Sequence, residues 1–372
     1  MNPAVSDITE DQDIFRFRIS GINVSLANAL RRIILNDIDT VVFRTETYND
    51  SKCTIFANTC RLHNEIVKQR LSCIPIHSTD LTQLPDKYIM EVDVQNDTDH
   101  ILFVTTKDFR IKNKETGNYL TEKETQKIFP PCKLTGQYID FVRLRPSPSP
   151  DIPGEHIKLC CEFSVANVDT NSMFNVVSKC AYTFTNDATK AAQAWTLIAD
   201  KMASESATKA EIEFAKRNFD MLDAERYYIE NSFDFVLQSV GVFTCADIVK
   251  KACAVMQRKL LNFADALDAD IVPILATEVS SHKTTMDNCF DVILENEDYT
   301  LGKSLEFYLY DTYFEGRKTL SFCGFKKMHP HDTNSRIRVA FKEPADKIAV
   351  KALFREAALK VQDVFVAIHK RF

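Results

Sequence analysis

The chain has 372 residues, which allows two or three domains and a sizeable core, and its composition is that of an ordinary soluble globular protein. A net charge of −6 argues against charge-driven nucleic-acid binding over the whole surface, though not against a local basic patch. No apolar run approaches the roughly 20 residues of a membrane helix. The polar, acidic residues 1–12 do not read as a secretory signal. Eleven cysteines without framework spacing read as reduced thiols, which makes the Asn-x-Ser/Thr sites at Asn23, Asn49 and Asn96 uninformative.

Residues 14–19 alternate apolar and basic, the period of a half-buried strand, and Gly21 turns the chain into a helix. In that helix Leu26, Ala29, Leu30, Ile33 and Ile34 form one apolar stripe, Ser25 is placed to cap the first amides, and Asn36-Asp37 suits the exit. Arg31 and Arg32 follow Leu30, so at least one guanidinium leaves the stripe. Residues 41–43 and 45–48 read as the next strand, and 62–71 as a short helix stopped at Ile74-Pro75-Ile76. Strands are expected at 88–94 and 101–106, a charged stretch with few periodic apolars at 107–133, and an extended connection through Pro146, Pro148 and Pro150. Strand character resumes at 155–165.

Residues 190–222 read as helical, with Trp195, Leu197, Ile198, Met202, Ile212, Phe214 and Phe219 as their apolar positions. A strand at 227–240 leads to Thr244, which caps a long helix bearing Ile248, Val249, Ala252, Val255, Met256, Leu260 and Phe263 on one face. Residues 268–286 lack periodicity and read as a linker, with Asp265, Asp268 and Asp270 as a solvated helix end. Beyond them a strand at 290–294 precedes Thr300-Leu301 with Leu305, which repeats the Ser25-Leu26 with Leu30 pattern. Strands at 320–330 and 336–341 and a helix from 345 to 372 complete the chain. That helix carries Ile348, Ala352, Leu353, Ala357, Val361, Val364, Phe365 and Ile368 on one face. Strand–turn–helix is thus written once near each end, as expected of two related halves packed on each other.

The blocks SLANALRRI (25–33) and LHNEIVKQRLSCIPI (62–76) together resemble the third-largest subunit of cellular RNA polymerases, the archaeal D and bacterial alpha class. FDFVLQSVG (233–241) resembles a strand of the same subunits, whereas 190–222 has no obvious counterpart there. ENEDYTLGKSLEFYL (295–309), LSFCGFKKMHP (320–330) and the terminal helix are similar to the eleventh subunit of eukaryotic polymerase II and the archaeal L subunit. Lys303, Glu306 and Met328 depart from that pattern. Joined in one polypeptide, the two look like the fused small subunits of large nucleocytoplasmic DNA viruses.

The resemblance implies an α+β architecture: two alpha-subunit-type dimerisation folds, antiparallel sheets with packed helices, fused in one chain. Its domains would be 1–50 plus 155–267 with a helical insertion at 190–222, an inserted mostly-β domain at 51–154, a linker at 268–286 and a second dimerisation domain at 287–372. It implies a non-catalytic assembly platform of a viral DNA-directed RNA polymerase. Its internal seam would join Leu26, Leu30 and Ile33 to Leu301 and Leu305, and Ile248 and Val255 to Leu353, Val361 and Phe365. Asn28, Arg31, Arg32, Glu65 and Arg70 would face the largest and second-largest subunits, and a small tenth- or twelfth-subunit-like partner would bind as well. DNA and RNA would be met only through the complex, with no membrane and no homo-oligomer, in the reduced host cytoplasm at the viral factory and in the virion. The competing reading is a stand-alone nucleic-acid adaptor with Arg16, Arg18, Arg31 and Arg32 as a basic stripe.

No HExxH pair, phosphate-cradling glycine loop or GxSxG elbow occurs, and the aspartate cluster of a polymerase centre is missing. His329-Pro330-His331 reads as a turn after a strand. The third-subunit class often holds zinc or an iron–sulfur cluster on a cysteine quartet. Cys53, Cys60, Cys73, Cys132, Cys160, Cys161 and Cys180 contain no CxxC or CxC pair, so no metal and no cofactor is expected.

Overall fold

In the computed structural model, which describes residues 1–276 and 286–372, Phe15, Phe17 and Ile19 turn inward from a strand whose Arg16 faces out. That strand is β2 (Ile14–Ser20), paired antiparallel with an edge strand β1 (Ala4–Asp11). β1 lies in the polar, acidic stretch 1–12, for which no strand was expected. An edge strand needs only one row of backbone hydrogen bonds, and its Asp7, Glu10 and Asp11 suit a solvated edge.

α1 (Val24–Asn36), β3 (Thr40–Val42), β4 (Cys53–Asn58), α2 (Asn64–Ser72), α3 (Gln83–Lys87) and β5 (Tyr88–Gln95) follow. Next come β6 (Leu102–Thr105), β7 (Arg110–Asn113), α4 (Glu122–Ile128), β8 (Asp140–Leu144), β9 (His156–Glu162), β10 (Ser164–Ala166) and β11 (Val177–Asn186). The 190–222 segment is an α5 (Ala188–Ser204) and α6 (Lys209–Met221) pair, then β12 (Tyr228–Ser239) and α7 (Cys245–Asp268). The last portion is β13 (Ile274–Ala276), β14 (Cys289–Leu294), α8 (Tyr299–Leu309), β15 (Leu320–Lys326), β16 (Ser335–Phe341) and α9 (Lys347–His369). The architecture is α+β, with antiparallel pairing throughout the registered ladders.

Residues 1–33, 179–238 and 249–372 make one compact unit; residues 34–178 with 239–248 make the other. The first unit holds two four-stranded sheets of one design. Their orders are β1-β2-β12-β11 and β13-β14-β16-β15, so each runs first, second, fourth, third in chain order. In each, the second strand leads into a short helix (α1, α8) and the fourth into a long one (α7, α9). Both short helices start on an Asx side chain rather than on the hydroxyl residue that sequence suggested. Asn23 Oδ1 accepts from the Ser25 N–H at 2.9 Å, and Asp298 Oδ1 from the Thr300 N–H at 2.8 Å.

The apolar faces of these helices are buried: Leu26, Leu30 and Ile33 of α1, Met256 and Leu260 of α7, Leu301 and Leu305 of α8, Val361 and Phe365 of α9. Phe17 stacks on Phe235 at 4.9 Å, and Phe372, just past α9, stands edge-on to Phe17 at 5.0 Å. The end of the chain thereby completes the aromatic cluster of the first sheet. Three expected face residues lie outside this core, Ala352 of α9 among them, which is exposed. Ile348 is exposed in the first turn of α9, and Val255 is only half-buried, because the buried stripe of α7 runs through Cys253 and Met256 instead. In the α5–α6 pair only Phe219 is buried; Leu197 and Phe214 face solvent.

The second unit packs a four-stranded sheet β4-β9-β5-β7, a β6-β8 pair and a β10-β3 pair around Phe43, Phe109, Phe129 and Phe141, with Val67 and Leu71 of α2. Residues 45–48 are not a strand: Thr45 instead donates its hydroxyl to Lys68 O of α2 at 2.8 Å. The charged 107–133 stretch contains β7 and α4, the latter started by a Thr121–Glu124 capping box. The expected linker at 268–286 includes β13, paired with β14, and otherwise falls largely on 277–285, outside the described residues.

Candidate pairing and docking interfaces

Local sequence brings two opposite charges to the junction of the short helices. Arg32 follows the α1 stripe by one position beyond Arg31, which swings it toward α8, and Asp298 is fixed there by its capping role. Arg32 Nε donates to Thr300 Oγ1 at 2.9 Å and a terminal nitrogen donates to the Asp298 carboxylate. Burial pushes the Asp298 carboxyl up, but the Thr300 N–H and hydroxyl and the charges of Arg32 and Lys259 outweigh it and hold it below the usual carboxylate range. A negative charge at the start of α8 is also favoured by the helix dipole. Lys259 of α7 donates to both Glu297 oxygens at 3.3 Å, one residue before the cap. The start of α8 is thus held by cations from α1 and α7.

The long helices meet in the same way. Arg355 of α9 donates to Asp268 at 2.9 Å, and Lys351 pairs with Asp270. These aspartates are exposed, as expected of a solvated helix end, and are in addition matched by α9. Acids at the carboxyl end of α7 are unfavourable alone, and the two cations offset that cost. Phe263 and Phe354 touch beneath them, with ring centroids 6.4 Å apart. A cavity of about 210 Å³ lies alongside, lined by Lys259, Phe263, Ile271, Ile293 and Leu301 among others.

Of the surface candidates, Asn28 Oδ1 accepts from Arg31 Nε at 3.0 Å, and both residues are half-buried. Arg31 lies near Cys180 and Tyr182; burial pushes the Cys180 thiol up to about 12, with the Arg31 charge opposing. Arg32 is engaged by α8. Glu65 is exposed at the start of α2 and accepts from His63 Nδ1 at 2.6 Å; a backbone N–H and that imidazole hold its carboxyl below the usual range. Arg70 is turned onto β8, donating to Phe141 O at 2.6 Å and Asp140 O at 2.7 Å. Arg16 is exposed, whereas Arg18 pairs with Asp7 and Asp234, both at 2.6 Å. The apolar seam residues Leu26, Leu30, Ile33, Leu301, Leu305, Ile248, Leu353, Val361 and Phe365 are all buried.

Sequence reasoning missed Asp298 as a partner for Arg32, and Lys259 and Glu297 altogether. The available signal was the Asx at the helix start, misassigned to the hydroxyl two positions on. Asp291, buried between Arg336 (3.1 Å) and Arg338 (2.6 Å) on the second sheet, was also missed. Among the described residues, no group of three or more His, Cys, Asp or Glu side chains is placed to hold a metal ion, and no helix is long and apolar enough to cross a membrane.

Comparison with known proteins places this geometry. The chain is 38% identical over 81 residues to the DNA-directed RNA polymerase subunit Rpo3 of Picrophilus torridus, covering 20% of this chain and 30% of that protein. It is 32% identical over 77 residues to the human DNA-directed RNA polymerases I and III subunit RPAC1, covering 21% of this chain and 20% of that one. The chain therefore spans under a third of the length of these relatives. The RNA polymerase Rpb3/Rpb11 dimerisation domain matches residues 16–260, and the chain belongs to that family.

Proposed function

We propose that the chain is a non-catalytic assembly subunit of a multisubunit DNA-directed RNA polymerase of a large DNA virus, in which a third-subunit-like front and an eleventh-subunit-like rear pair within one polypeptide. The observation that carries this is the repeated strand order, first-second-fourth-third, with a short and a long helix at corresponding points of each sheet. A dimerisation fold written twice needs no second chain to complete its core. A tether holds the halves at roughly millimolar effective concentration, so pairing does not wait for encounter. The front comprises 1–50 with 155–267, interrupted by 51–154, and the rear 287–372. The paired body offers Asn28 and Arg31, and the α2 segment with Glu65, to the two large catalytic subunits. A small tenth- or twelfth-subunit-like protein completes the assembly. Its setting is the host cytoplasm at the viral factory, with packaging into virions.

Affinity purification of the tagged chain from infected cells tests this. The largest and second-largest polymerase subunits are expected to co-elute, and Arg31→Glu, at a position without a role in the α1–α8 clamp, is expected to reduce their recovery at least several-fold. Abundant chain free of any transcription protein would overturn the reading.

A further inference from the structure

The two short helices align from their caps. Asn23 corresponds to Asp298, Ser25 to Thr300, Leu26 to Leu301 and Leu30 to Leu305. At the place of Arg32, α8 carries Phe307. Because the two sheets share one topology, like-with-like association of two copies, front on front and rear on rear, is the state that competes with internal pairing. The apolar positions do little to separate these states, since leucines recur at equivalent points on both helices. The charges do separate them. A front–front pair sets Arg32 against Asn23 and Ser25, a cation with no carboxylate. A rear–rear pair sets Phe307 against Asp298, a part-buried acid with no cation. Only front on rear matches Arg32 with Asp298 and Thr300.

We propose that the Arg32–Asp298 contact is the pairing code of the molecule, the element that makes the front fold choose the rear of its own chain over a second copy of itself. This rests on the reading of the chain as two internally paired repeats. Both side chains are partly enclosed, at 27% and 35% exposed, so the contact is shielded enough to discriminate and open enough to be read during association.

The test uses full-length chains carrying two different tags, co-expressed and captured through one tag, over a range of protein concentration. The tether's roughly millimolar effective concentration exceeds a 10 µM sample by about 100-fold. Arg32→Asp sets like charges at the junction while relieving the front–front pair. It is expected to lower the concentration at which cross-capture sets in by on the order of 100-fold, into the 10 µM range. The exchanged variant Arg32→Asp with Asp298→Arg re-forms an opposite-charge pair at the cost of the α8 cap, and is expected to return cross-capture part of the way to the wild-type level. If Arg32→Asp does not fold, the neutral pair Arg32→Gln with Asp298→Asn, which keeps an Asx cap on α8, is expected to show the same onset shift to a smaller degree.

Folded Arg32→Asp or neutral-pair chains that stay single across the range overturn the pairing code. So does cross-capture that the exchanged variant does not lower at all relative to Arg32→Asp, because a merely stabilising contact changes melting temperature and not partner choice. Cross-capture already present in the wild type at low concentration overturns instead the internal-pairing reading on which the code rests.

Discussion

The front and rear sheets share a topology but hold their outer faces differently. Each ties its second strand to its fourth with a cross-strand arginine–aspartate pair. On the front sheet, Arg18 and Asp234 are 36% and 37% exposed, and Asp7 shares the same guanidinium. On the rear sheet the polarity is reversed: Asp291 is 5% exposed and sits between Arg336 and Arg338. One scaffold therefore tolerates either a solvated pair, whose worth is small, or an enclosed one whose disruption is severe. A shared fold does not imply shared energetics at corresponding positions.

The sharpest way to break this comparison is to remove the two acids separately. Asp291→Ala leaves two arginines facing each other without a counter-charge, and a loss of about 3–5 kcal/mol is expected in urea unfolding. Asp234→Ala, in contrast, is expected to stay within about 1 kcal/mol. Equal effects would remove the distinction. pH sharpens it further. Burial raises the Asp291 carboxyl, but Arg338 and Arg336 overcome this and hold it below the usual carboxylate range. Its stabilisation is complete above the unfolded value of about 4 and is lost as pH falls through the depressed folded value. Acid titration of unfolding free energy is expected to show this fall for the wild type and a shallower one for Asp291→Asn.

A second contrast lies at the chain end. Phe372, at the rear, finishes the aromatic cluster of the front, so Phe372→Ala is expected to cost about 2 kcal/mol, lost at the Phe17 and Phe15 rings. The smallest expected effect concerns the two short helices. Counted from their caps, Ala27 of α1 corresponds to Gly302 of α8, where an added Cβ would lie 2.0 Å from the Phe325 ring. Gly302→Ala gains up to about 1 kcal/mol in helix propensity and meets overpacking of about 1–3 kcal/mol. A net loss of about 1 kcal/mol is expected, against a loss of about 1–2 kcal/mol for Ala27→Gly, which gives up both helix propensity and a fully buried methyl. A stabilised Gly302→Ala protein would show that Phe325 moves aside freely.

Much of the fold was legible because periodicity survives in a single sequence: the α1, α7, α8 and α9 stripes, the alternation of β2 and the recurrence of Ser25-Leu26 in Thr300-Leu301. What was not legible depends on distant residues. β1 is polar because an edge strand buries little, so composition hid it. Asp268 and Asp270 are solvated as expected, but their partners Arg355 and Lys351 come from the other end of the chain. Arg32 read as a surface cation for the same reason, since its acceptor lies far away in sequence. Ile348 fits the helical period yet is exposed, because a stripe gives orientation but not where a neighbouring element ends.

The most direct measurement is zero-length carbodiimide cross-linking of dilute full-length chain, with an equal mixture of isotopically light and heavy protein read by mass spectrometry. If front and rear pair within one chain, Lys351–Asp270 and Lys259–Glu297 links form in a species of single-chain mass, and each linked peptide pair is wholly light or wholly heavy. Mixed light–heavy pairs confined to a dimer, with none in the single-chain species, would contradict it.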